Sequence, residues 1–115
     1  MAFALSMTAA ARAEPTRDPA AAEALFNEAK ALLKRGDWGA ACAKYRASME
    51  LDPAVATLLK IASCYEREGK LAAAWYDYQR ALKLNRERTD QSAQRRKALE
   101  AYATKALAAL EPRVP

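Results

Sequence analysis

Two glycines, Gly36 and Gly69, stand 33 positions apart in this chain of 115 residues, and the sequence around each follows one pattern. Superimposing them aligns Leu25 with Leu58, Ala29 with Ala62, Leu32 with Tyr65 and Trp38 with Leu71. It also aligns Ala41 with Ala74, Tyr45 with Tyr78 and Leu51 with Leu84. A fixed period of this size marks one supersecondary unit used twice, and it constrains the fold more than any single residue does. Inside the unit the apolar residues fall at helical spacing. Before Gly36 they are Leu25, Phe26, Ala29, Leu32 and Leu33; after it Ala41, Tyr45 and Met49, with the small Ser48, lie along one side. The unit is therefore helix, tight turn, helix.

Start and stop signals divide the chain further. Asp18-Pro19 offers an N-cap followed by Pro at the first helical position, and Asp52-Pro53 offers the same pair 34 positions on. Five helices are predicted: from Pro19 to a close at Lys34-Arg35-Gly36; about Trp38–Leu51; from Asp52-Pro53 to Gly69; about Leu71–Asn85; and, capped by Asp90, about Gln91–Leu110, with Glu111-Pro112 ending it. Composition agrees, because Ala, Leu, Lys, Arg and Glu dominate and these lose least on becoming helical. Antiparallel helices joined by so short a turn must lie close. Ala41 and Ala74 on the second helix of each unit let its backbone approach Ala29 and Ala62 on the first.

That period, with its small-and-aromatic pattern, resembles the tetratricopeptide repeat over Ala22 to about Arg86. The resemblance implies an all-α, right-handed α-solenoid of two helix hairpins plus a C-terminal capping helix. The implied boundaries are a leader or tail over 1–17 and a repeat domain over 18–110. Within that domain the first repeat spans about 22–54, the second about 55–86 and the capping helix about 91–110, leaving a tail over 111–115. The signature Pro is present as Pro53 in the first repeat, whereas Arg86 stands at its place in the second. A single terminal helix suits that departure, since such arrays need their last apolar face covered.

In this family the first helix of each pair lines a concave groove that binds peptides. By position, Phe26, Lys30 and Leu33 would face it from the first repeat, and Leu59, Lys60, Ser63 and Arg67 from the second. An apolar floor with Lys30, Lys60 and Arg67 around it suits an acidic peptide or protein segment; the alternative is that these are ordinary half-exposed positions in a short array. The best-known groove of the family grips a C-terminal carboxylate through Lys and Asn, but no Asn stands among Phe26, Lys30 and Lys60, so that activity is not expected. The expected function is non-enzymatic protein–protein interaction or scaffolding. The alternative is a structural spacer for a downstream β-rich domain.

Two cysteines, Cys42 and Cys64, lack zinc or redox-pair spacing. Either they are separate buried thiols or, in a chain that leaves the cytoplasm, they form one disulfide. The repeat resemblance places the second and third helices side by side, which makes that bond possible. The N-terminus bears on the same choice. Ala2 to Ala11 is apolar and Ala11-Arg12-Ala13 fits a signal cleavage site after Ala13; the alternative is a disordered Ala-rich tail. The chain is also similar to exported proteins of myxobacterial type, in which a leader and a short tetratricopeptide region with paired Cys precede Leu-Glu-Pro-Arg and a β-rich domain. Leu110-Glu-Pro-Arg-Val-Pro115 looks like that junction, so either a fragment of a longer protein or a chain shortened by a frameshift or early stop is expected. That similarity implies a periplasmic or secreted protein of the bacterial envelope; otherwise the chain is cytoplasmic.

Other chemistry finds little support. There is no His, no Gly-rich phosphate loop and no carboxylate pair, so neither an enzyme nor a cofactor or metal site is expected. No apolar run approaches the roughly 18–20 residues that cross a bilayer. The basic segment Arg86, Arg88, Arg95, Arg96 and Lys97 is interrupted by Glu87, Asp90 and Glu100 and has no aromatic partner, which argues against nucleic acid and for a solvated polar face. Trp75 and Tyr76 lie off the shared stripe; either they are outer-face contacts for a partner or they cover the last helix, and the second is expected because that helix needs an apolar surface to land on. Oligomeric state is not encoded in any of these features.

Overall fold

The computed structural model describes residues 17–115. The order is α1 (Pro19–Lys34), α2 (Trp38–Leu51), α3 (Val55–Arg67), α4 (Leu71–Glu87) and α5 (Ala93–Leu110), followed by a 3₁₀ turn over Glu111–Arg113. The described residues form helices and no strand. Helices pack as the pairs α1/α2 and α3/α4, with α2 against α3 between the pairs and α5 against α4. The leader and its cleavage site after Ala13 lie outside the described residues.

Both hairpin turns close in the same way. Gly36 and Gly69 each have φ 78°, a left-handed conformation natural to glycine. The Gly36 N–H donates to the Leu33 carbonyl at 2.9 Å and the Asp37 N–H to Leu32 at 3.0 Å; the Gly69 N–H donates to Glu66 at 3.1 Å and the Lys70 N–H to Tyr65 at 2.9 Å. This doubled bonding satisfies the last carbonyls of α1 and α3 and turns the chain within three residues. Among the described residues nothing lies within 4 Å of where a Cβ would sit at either glycine, so a side chain there would be opposed by backbone conformation.

Ala29, Ala41, Ala62 and Ala74 are all 0 % exposed, as their close approach demands. The core divides into two clusters. One joins Ala29, Ala41, Cys42, Tyr45, Ile61 and Cys64; the other joins Val55, Leu58, Leu59, Ala62, Tyr78 and Leu82 with Ala103 and Leu110 of α5. Met49 and Tyr65 pack against both and make the interior continuous. Cys42 and Cys64 are joined as a disulfide, Cα–Cα 6.0 Å, from α2 to α3. Each buried Leu contributes about 1.5–3 kcal/mol, so α5, which brings Leu110 and packs Leu99 and Leu107 against the second cluster, is integral to it.

Two predicted helix starts move. Asp52 does not cap α3, because α2 keeps it: its N–H donates to the Ser48 carbonyl at 3.0 Å. It closes α2 in extended backbone, and α3 begins at Val55 behind Ala54, without a side-chain cap. Asp90 does not cap α5, because it faces Arg88 at 3.4 Å; the Ser92 hydroxyl accepts from the Arg95 N–H at 3.1 Å and caps α5 instead. Arg88 also donates to the Pro53 carbonyl at 2.7 Å, tying the α4–α5 connection to the α2–α3 connection.

Candidate functional site

A depression on the face of α1 and α3 is lined by Pro19, Glu23 and Phe26 of α1, Ala56 and Thr57 of α3, and Arg95 of α5. Its volume is about 290 Å³. Phe26 is half-buried there because its ring meets Tyr45 edge-on, centroids 5.3 Å apart at 69°. One turn further along α1, Lys30 is exposed with its ammonium 6.0 Å from the Phe26 ring. Lys60 lies one turn beyond Ala56 on α3 and is half-exposed, as is Ser63; Leu33 is half-buried. Arg67 is exposed, but its guanidinium lies 4.0 Å over the Trp38 ring, which fastens α3 to the start of α2 and limits its reach.

Leu59 is a correction. It is 4 % exposed and sits in the cluster that α5 closes, so it cannot line a groove; its first-hairpin counterpart, Phe26, keeps a free edge. Helical spacing puts Leu59 on α3 as expected, but its side chain turns into the cluster that Ala103 and Leu110 of α5 complete. Trp75 and Tyr76 are a second correction. Tyr76 at 61 % exposed stands open to solvent and Trp75 at 39 % is only partly covered, while α5 meets the core through Leu99, Ala103, Ala106, Leu107 and Leu110.

Glu66 was missed. Its Oε1 accepts from the Tyr78 hydroxyl at 3.0 Å, and Oε2 lies 3.5 Å from Nη1 of Arg113 in the terminal 3₁₀ turn. Burial, reinforced by the Glu66 carboxylate, pushes the Tyr78 phenol well above its usual range, with the Ser63 hydroxyl opposing. The signal was present in the repeat alignment, where Glu66 replaces Leu33 opposite a matched tyrosine. Glu66 faces Arg113, while the depression itself carries Arg95 beside Glu23 and Asp52, with Lys30 and Lys60 each one turn away.

The other basic residues are largely consumed. Arg86 pairs with Glu100 at 2.9 Å, Arg88 bonds Pro53 and Asp90, and Arg96 donates to the Arg86 carbonyl at 3.3 Å. They hold α5 in place rather than forming a freely solvated stripe. Among the described residues no group of His, Cys, Asp or Glu is disposed to hold a metal ion, and no helix is long and apolar enough to cross a membrane.

The first hairpin thus combines a glycine turn, a small-residue contact and a buried tyrosine at fixed positions. Residues 22–55 match the tetratricopeptide repeat family model. The match runs from Ala22 in α1 to Val55 at the head of α3 and supports a tetratricopeptide-repeat protein. Such repeats generally mediate protein–protein interactions and are generally non-enzymatic. The chain matches no curated protein and no solved structure. The all-helical architecture fits a helical repeat, with α3/α4 as the hairpin that the family model leaves unmatched.

Proposed function

We propose that the chain is an interaction module whose α1/α3 face takes an acidic peptide segment of a partner protein, within a right-handed array of two hairpins capped by α5. The observation that carries this is the joining of Phe26, Ala56, Thr57 and Arg95, from three helices, in one shallow depression with Lys30 and Lys60 a turn away. Half-buried apolar side chains supply contact area, and the lysines supply orientation and association rate. Selection of displayed peptides on the chain should enrich sequences with acidic residues beside an apolar anchor. Joint replacement Lys30→Glu and Lys60→Glu should remove that enrichment by about tenfold or more. Enrichment without acidic bias, or insensitive to the double replacement, sinks the proposal.

The Cys42–Cys64 bond favours an oxidising compartment, periplasmic or extracellular, and with it the leader reading of 1–17. A second reading, the spacer, is favoured by the C-terminal turn. Arg113 pairs with Glu66, and Val114 packs on the second cluster, so a domain joined after Pro115 would be held against the hairpin rather than swing free.

A further inference from the structure

We propose that the outer groove along α4, closed by Met49 of α2, Pro53 and Leu58 of α3, is a second docking surface, and that it takes an acidic amphipathic helix of a partner protein. The groove holds about 810 Å³, room for several side chains. Its floor is apolar, formed by Met49, Pro53, Leu58 and Leu82. It includes none of Phe26, Lys30, Lys60 or Ser63, so it is separate from the α1/α3 face.

Charge chooses the occupant. Along the rim stand Arg80, Lys83 and Arg86 against one carboxylate, Glu87. Lys83 is exposed and makes no ion pair among the described residues. Arg80 meets Asp77 at 3.2 Å, but the Asp77 side chain is only 9 % exposed, so the acid sits on the protein side and the half-exposed guanidinium keeps outward donors. Arg86 is held by Glu100 at the far end. Tyr76, 61 % exposed, flanks the opening with the Arg80 guanidinium 5.8 Å from its ring. An exposed aromatic beside cations above an apolar floor matches apolar anchors flanked by acidic residues.

Backbone chemistry chooses the conformation. The walls are helices whose peptide groups are bonded internally, so they offer an extended strand no ladder. A helix brings its own backbone already satisfied and sets anchors at i, i+3, i+4 and i+7 along α4.

The test uses the full chain and two synthetic helical peptides about four turns long, one built of Leu and Glu at amphipathic spacing, the other of Leu and Lys. Titrations followed by amide NMR shifts should show the Leu/Glu peptide binding about tenfold or more tighter, with shifts at Met49, Tyr76 and Lys83. Lys83→Glu and, separately, Tyr76→Ala, both at exposed positions, should each weaken it by about fivefold or more, while Lys30→Glu with Lys60→Glu leaves it unchanged. Equal affinity for the two peptides, no binding, or loss only with the Lys30/Lys60 pair overturns the assignment. So does a concentration-dependent dimer in sedimentation that Lys83→Glu dissolves, which would give the groove to a second copy.

Discussion

Tyr45 and Tyr78 occupy the same position in the two hairpins, and they are treated oppositely. Tyr78 donates to Glu66; Tyr45, wholly buried, has a hydroxyl with no partner among the described residues. The cause is one residue: where the second hairpin has Glu66, the first has Leu33. The first hairpin compensates locally. Asp18 accepts from the Ala21 N–H at 3.0 Å and Asp37 from the Ala40 N–H at 3.3 Å, capping α1 and α2, whereas α3 and α4 have no side-chain cap. One hairpin is secured by its own ends, the other by its neighbours: Glu66, Arg113 and α5. The comparison teaches that a repeat can conserve its helical frame while exchanging local for tertiary support.

The strongest way to break that division is to remove the link between the hairpins. Replacing Cys42 and Cys64 by Ala should cost about 3–4 kcal/mol in chain-entropy terms, read by denaturant unfolding. If the hairpins differ as described, amide exchange should then open α1 and α2 separately from α3–α5; uniform opening would merge them into one unit. A sharper probe exchanges the tyrosines. Tyr78→Phe should cost about 1–2 kcal/mol, since it strips Glu66 of its donor, while Tyr45→Phe should be neutral or stabilising because nothing is lost. Because the Tyr78 pKa is raised on folding, its contribution is fully present below the unfolded-state value near 10 and is lost as pH rises above it. Burial raises the Tyr45 phenol as well, so alkaline unfolding should be blunted by both Phe variants and more by Tyr78→Phe, where the Glu66 carboxylate adds to burial; equal responses would erase the contrast. The smallest effect concerns caps. Asp37→Ala should cost about 1 kcal/mol, and Lys70→Asp, at the matching uncapped position, should recover about half that despite losing the Lys70–Glu68 pair at 3.4 Å. Thermal midpoints that do not move in opposite directions would remove the capping argument.

Much of this was legible in the sequence. Gly36 and Gly69 fixed both turns, and the alanine–alanine matches fixed which helix faces meet, because only one backbone geometry suits each. What was not legible depended on groups far apart in the chain. Asp52 has the chemistry of a cap, but α2 claims it first; Asp90 does too, but Arg88 takes it. Leu59 reads as a groove position until α5 closes its cluster. Tyr76 reads as a seat for α5 until α5 chooses its small-residue face, with Ala103 fully buried. Among the candidate site residues, Lys30 is exposed on α1 and Lys60 and Ser63 are half-exposed on α3, whereas the Arg67 guanidinium lies over the Trp38 ring.

The Cys42–Cys64 bond has a mechanical consequence. Its partners are separated by 22 positions, which take in most of α2 and α3 and the connection between them. A chain stretched from its two ends could not pay that segment out, so roughly 70 Å of contour would stay hidden from the force. Tension would peel α1 from one side and α5 with α4 from the other, leaving a locked knot of the inner two helices in the middle of the thread.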